Sequence, residues 1–148
     1  MKILLPIDGS APALAAARHV ADLIAQGLRA SLVLVNVQEP ASLYELMVVH
    51  DADAIERMRR EAGAELLAPA EALLGAAGLS YESEAAGGDP HHTLVELAEN
   101  YGCAAIVMGA RGMGDPTAGD LGSVALAVLR HSPVPVTVVR PPEPAEPD

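Results

Sequence analysis

Two short runs near the start of the chain, Ile3 to Ile7 and Ser31 to Val37, are apolar at nearly every position. Side chains of a strand point alternately to its two faces, so such a run needs cover on both sides. Inner strands of a parallel sheet, with helices above and below, meet that condition. The residues between the two runs repeat at helical spacing instead: Leu14, Ala17, Val20, Ala21 and Ile24 form one stripe. Ser10 is placed to cap that helix, Pro12 sits in its first turn, where a missing N–H costs little, and Gly27 follows it as a stop.

The alternation continues. Ala54 to Ala77 reads as a long helix, with Arg57, Arg59 and Arg60 as a solvated face matched to Glu56 and Glu61. Pro69 lies inside it and should kink or divide it. Leu79 to Ala86 is a third strand, polar enough to suit a sheet edge. Gly87-Gly88-Asp89-Pro90 is a turn that starts the next helix, whose buried stripe is Leu94, Leu97 and Ala98. Ala104 to Met108 is a fourth strand, Val124 to His131 a short helix, and Val134 to Val139 a fifth strand. Pro135 has no N–H to give a ladder, so strand five should be an edge, open to pairing with a second copy. Gln38 to Asp53 shows no clear period and reads as a short helix or a mobile flap. The expectation is one three-layer α/β sandwich around a five-stranded, mostly parallel sheet over residues 1–140. The Pro-rich acidic tail 141–148 is expected to be disordered.

Composition narrows the function. There is no Trp and no Phe and only three Tyr, so the core is aliphatic and aromatic platforms for single-stranded nucleic acid are nearly absent. A net charge of -11 argues against non-specific nucleic-acid binding and against anionic membrane surfaces. A bound polyphosphate would therefore need backbone dipoles, Arg111 or a divalent metal. The single cysteine, Cys103, reads as a small core residue rather than a reactive thiol. The apolar start of the chain is too short for a signal peptide, and no run approaches the roughly 18 apolar residues of a membrane span. The expected location is cytoplasmic.

Between the fourth strand and the helix at Val124 lies a glycine-rich stretch, Gly109 to Ser123, with the spacing Gly109-x2-Gly112-x9-Gly122-Ser123. Glycines let backbone approach a ligand closely, successive N–H groups can form a concavity, and a helix N-terminus adds unpaired donors. On chemistry alone the stretch is either a phosphate cradle or a long flexible connection. In open parallel sheets, ligands bind beyond the carboxyl ends of the strands where the strand order reverses. Asp8, Val37 and Gly109 would face one crevice if strands one and four are neighbours there.

This glycine spacing resembles the phosphate-binding signature of the ATP-binding branch of the universal stress protein family. Pro6-Ile7-Asp8-Gly9-Ser10, Val35-Asn36-Val37, Gly88-Asp89-Pro90, Ile106 to Gly112, and Gly122 through Val136 are similar to the family's other signatures, leaving only 38–53 and the tail outside. The resemblance implies a flavodoxin-like fold of the adenine nucleotide alpha hydrolase-like type, with strand order 3-2-1-4-5. It also implies an ATP site, with AMP or ADP as alternatives and Mg2+ or Mn2+ bound through the phosphates. Pro6, Ile7 and Asp8 would meet the nucleoside and Val37 would bracket the adenine. Met108, Gly109, Arg111, Gly112, Gly122, Ser123 and Val124 would surround the phosphates. A homodimer through strand five, Val136 to Arg140, is implied as well, together with a role in the stress response.

The chain departs from the family's pattern in two places. Many relatives carry basic residues between Gly112 and Gly122, whereas this loop has Asp115 and Asp120 and no Lys or Arg. Ala125 stands where nucleotide-binding relatives often have a hydroxyl. Both changes should lower affinity without abolishing it. No general base can be named and Arg111 is the one cation nearby, so hydrolysis should be slow at most. The alternatives are a branch that binds no ATP and acts through protein contacts, and an adenylating pyrophosphatase, whose Ser-Gly-Gly-x-Asp-Ser loop Asp8-Gly9-Ser10 does not supply. His91 and His92 point about 100° apart on a helix, poor geometry for one metal. His19, His50 and His131 show no metal-ligand spacing.

Overall fold

The aliphatic runs become the middle of a five-stranded sheet. The computed structural model describes residues 1–39, 45, 47–48, 51–111 and 121–141. The expectations for Gly112, Asp115, Asp120, His50, half of the segment 38–53 and the tail from 142 onward lie outside the described residues. In chain order the elements are β1 Lys2–Pro6, α1 Ala11–Ala25, β2 Ser31–Gln38 and α2 Ala52–Ala76. Then come β3 Tyr81–Gly87, α3 Pro90–Asn100, β4 Ala105–Gly109, α4 Ser123–His131 and β5 Val136–Val139. The strand order is β3-β2-β1-β4-β5 and every described pairing is parallel. The sheet is thus parallel throughout the described residues, a flavodoxin-like α/β fold.

Alternation along the inner strands explains why their central positions are apolar on both faces. Ile3, Leu5, Ile7, Leu32, Leu34 and Val107 pack with Ala13, Ala16, Ala17 and Val20 of α1 and with Leu67, Ala70 and Leu74 of α2. Leu4, Val33, Val35, Ile106 and Met108 face the other way, onto Leu94, Leu97 and Ala98 of α3 and Ala125 and Val128 of α4. Edge strands β3 and β5 have no fully buried position, in contrast to β1, β2 and β4.

Pro69 does not divide α2, which runs unbroken from Ala52 to Ala76. An interior proline costs a helix about 3 kcal/mol. The buried Leu67 and Leu74 on either side each return about 1.5–3 kcal/mol on burial, enough to hold the helix on the sheet. Cys103 is buried in the core beneath α3, and that burial pushes its thiol pKa up. Among the described residues no helix is long and apolar enough to cross a membrane.

Candidate functional site

At the carboxyl end of the sheet, β1 and β4 part. Their pairing covers Ile3↔Ala105 and Leu4↔Ile106 only. On the outer sides, β1 stays paired with β2 up to Pro6↔Val35, and β4 stays paired with β5 up to Gly109↔Val139. The gap between β1 and β4 is the reversal point of the strand order, since β1 leads to α1 on one face and β4 to α4 on the other.

Asp8 follows β1 on a turn that needs Gly9 at φ +86. A side chain at Gly9 would also meet Leu66 Cδ2 of α2 at 2.6 Å. Asp8 Oδ1 accepts the Ser10 N–H at 2.9 Å, and Ser10 Oγ in turn accepts the Ala13 N–H at 3.3 Å, so the turn and the start of α1 form one hydrogen-bonded unit. Pro6 ends β1, and Ile7 is buried in the core, its N–H bonded to the Val35 carbonyl at 2.8 Å.

Gly109 ends β4 and is buried there. A Cβ on it would fall 2.7 Å from the Pro12 carbonyl carbon and 2.9 Å from the Ala13 nitrogen. Close packing of β4 on the first turn of α1 is therefore reason enough for this glycine, whatever the loop beyond it does. Met108 points into the core on the α3–α4 face, and Arg111 is half-buried just past the strand.

The helix starts differ. Ser10, Asp51 and Asp89 each give α1, α2 and α3 a side-chain cap. The N-cap of α4 is Gly122, which has no side chain to offer. The N–H groups of Ser123, Val124 and Ala125 belong to the first turn and have no partner within the helix. Gly122 is tied back to β4 through its N–H to the Ala110 carbonyl at 2.8 Å. Ser123 is exposed at the first helical position, Val124 packs on the core, and Ala125 is only 2 % exposed. Burial accounts for the alanine at 125, where a hydroxyl would have to find a partner.

Two sets of side-chain contacts had no sequence signal. Asn36, 2 % exposed, donates from Nδ2 to the Ile7 carbonyl at 2.8 Å, and its Oδ1 accepts from Gln38 Nε2 at 2.8 Å. It ties the end of β2 to the end of β1. Val37 lies between these two polar residues and points to the opposite face, against the α3–α4 core. Arg59 is not part of a solvated face matched to Glu56 and Glu61. It forms a bidentate pair with Glu45, Nη2 lying 2.9 Å from Oε2 and 3.2 Å from Oε1, and Nη1 donates to the Glu39 carbonyl. Its partners lie 14 and 20 positions away, in a stretch without periodicity.

Arg59 also lines a cavity of about 380 Å3, beyond the ends of β2 and β3 and under the start of α2. Gln38, Ile55, Arg60, Gly87 and Gly88 are among its other walls. None of the described residues expected at the nucleotide lines it.

The histidines are not as scattered as their spacing implies. Asp89, His91 and His92 bring one ligand atom each within 4.8 Å of one another. His131, from the end of α4, stacks on His91 with ring centroids 5.5 Å apart.

Known proteins place this arrangement. A model of the Universal stress protein family matches residues 1–140. Universal stress protein Sll1654 of Synechocystis sp. is 34% identical over 137 residues, 93% of this chain and 83% of that protein. Universal stress protein YxiE of Bacillus subtilis is 33% identical over 149 residues, 94% of this chain and 98% of that protein. Among solved structures, hypothetical protein MJ0577 superposes with a TM-score of 0.81 at 27% identity, covering 97% of each chain. With a family model matching residues 1–140 and relatives more than 30% identical over nearly the whole chain, the chain belongs to the universal stress protein family.

Proposed function

We propose that this chain binds an adenine nucleotide across the carboxyl ends of β1 and β4, with ATP as the working ligand and AMP or ADP as alternatives. The observation that carries the reading is the coincidence of two features at one place. The β1–β4 ladder opens after Leu4↔Ile106, and the one side-chain-uncapped helix start among those described, at Gly122-Ser123-Val124, faces that end of the sheet. Bare amides at a helix start are a ready site for phosphate. Two structures of the same fold, at 24% and 17% identity, are described as complexes with cAMP and with AMP bound, the second from Arabidopsis thaliana.

In this reading Ser123 and Val124 give backbone N–H groups to the phosphates. Gly109 and Gly112 let the chain pass close to them, and Arg111 supplies a cation. Pro6, Ile7 and Asp8 meet the nucleoside, Val37 bounds the base and Met108 floors the gap. Mg2+ or Mn2+ bound through the phosphates offsets the acidic charge of the protein. Phosphoryl transfer needs a positioned nucleophile and charge neutralisation at the γ-phosphate. With no general base named, turnover is far below one per second, and the module, residues 1–140, regulates rather than catalyses.

A homodimer through Val136 to Arg140 belongs to the same reading. The outer edge of β5 has no strand beside it among the described residues, and Leu126 and Leu129 of the adjoining α4 are 39% and 40% exposed. Mass spectrometry of the chain purified without added nucleotide, followed by titration with ATP in magnesium and in EDTA, tests the proposal. Bound adenine nucleotide and weaker binding in EDTA are expected. No binding under either condition would leave a protein-interaction module instead.

A further inference from the structure

We propose that Asp89, His91 and His92 at the start of α3, together with His131 from the end of α4, form a site for one divalent transition-metal ion such as Zn2+. Adjacent residues on a helix ordinarily diverge by about 100°. Here the rings of His91 and His92 converge to 4.2 Å between centroids at 34°, and the ring of His131 lies 5.5 Å from that of His91 at 24°. His91 Nδ1 is 3.1 Å from Asp89 Oδ2. Zinc holds nitrogen and oxygen ligands at about 2.0–2.2 Å in a tetrahedron, which sets two ligand atoms roughly 3.3 Å apart. The His91–Asp89 pair already has that separation.

The three ligand atoms on α3 fall within 4.8 Å of one another, so small side-chain rotations close them onto one ion. Asp89 is held for this role, since its Oδ2 accepts the His92 N–H at 3.3 Å as the cap of α3. Imidazole with one carboxylate suits Zn2+, Ni2+ or Cu2+, whereas Mg2+ prefers oxygen ligands and water. The net charge of -11 raises the local concentration of any dication. The ion would clasp the start of α3 to the end of α4, two helices that share one core face, and none of Asp89, His91, His92 and His131 is among the residues assigned to the nucleotide. The proposal is therefore independent of nucleotide binding.

The test uses the full-length, tag-free chain, stripped of metal and free of nucleotide. Zn2+ is titrated in competition with a chromophoric chelator, and Co2+ is added separately for its visible absorption. One Zn2+ per chain is expected, not displaced by excess Mg2+, with a four-coordinate Co2+ spectrum. His91→Ala should lower affinity at least tenfold and abolish that spectrum. His131→Ala should also weaken binding about tenfold, while His19→Ala, on the opposite face of the sheet, should change nothing. Binding unaffected by His91→Ala overturns the site, and binding unaffected by His131→Ala overturns its bridging of the two helices. All three histidines are at least partly exposed, so circular dichroism should report folded variants.

Discussion

The carboxyl rim of the sheet has two halves that differ in kind. At β1 and β4 the strands part, the turn is built on glycine, and the helix that follows is uncapped by any side chain. At β2 and β3 the ladder holds to the last residue, Gln38↔Gly87, and the room lies above it, in a cavity walled by Arg59, Arg60 and Ile55. One half offers backbone donors with no partner inside their helix; the other offers volume and an arginine, Arg59, already engaged with Glu39 and Glu45. For a phosphate-bearing ligand the donors matter more than the volume, because each fixed amide acts without reorganisation. Open space by itself is a poor guide to where such a ligand sits.

Substitutions can break this contrast. The largest effect is expected for Gly109→Val, whose side chain would collide with the Pro12 and Ala13 backbone. Overpacking of that kind costs about 1–3 kcal/mol or more, read as a lower urea midpoint, and the shift of α1 should abolish nucleotide binding too. Ser123→Pro is the sharper probe. Proline is accepted at the first helical position, and Gly122 before it is already extended at ψ 163. The variant should keep its melting temperature and lose about tenfold to a hundredfold in ATP affinity, measured by calorimetry, because one amide donor is gone.

Asn36→Ala tests the link between the halves. Removing a buried side chain that bonds the Ile7 carbonyl should cost about 1–3 kcal/mol of stability, with a smaller loss of nucleotide affinity through the turn at Asp8. Arg59→Ala, at the other half, should leave ATP affinity within about twofold and lower stability by less than ~1 kcal/mol, since its ion pair is partly exposed. The smallest effect is a pH effect. The hydrogen bond from Tyr101 to Glu84, and then burial, raise the phenol above its ordinary value of 10.0. That contribution is complete below pH 10 and is lost as pH rises through the raised folded value, so Tyr101→Phe should flatten the fall of stability above about pH 10.

Much of this fold was legible because its signals are local. Strands apolar at every position demanded two covered faces, Pro135 and the polar alternation of β3 marked the edges, and Ser10 and Pro90 marked helix starts. The boundaries moved by a residue or two, and Pro69 misled because helix propensity knows nothing of Leu67 and Leu74 packing on the sheet. At the candidate site, Asp8, Gly122 and Ser123 could be read from turn and cap chemistry. The contacts of Arg59 and of Asn36 with the Ile7 carbonyl could not, since those partners are brought by tertiary packing from 14 to 29 residues away. The meeting of His131 with His91 was equally invisible, as nothing in a spacing of 40 positions announces it.

The most direct test is a crystal structure of the chain with ATP and magnesium. One nucleotide per chain should lie between the ends of β1 and β4, its phosphates on the amides of Ser123 and Val124 and its ribose beside Asp8. A vacant gap there, or a nucleotide seated instead against Arg59 and Arg60 beyond β2 and β3, would contradict the account.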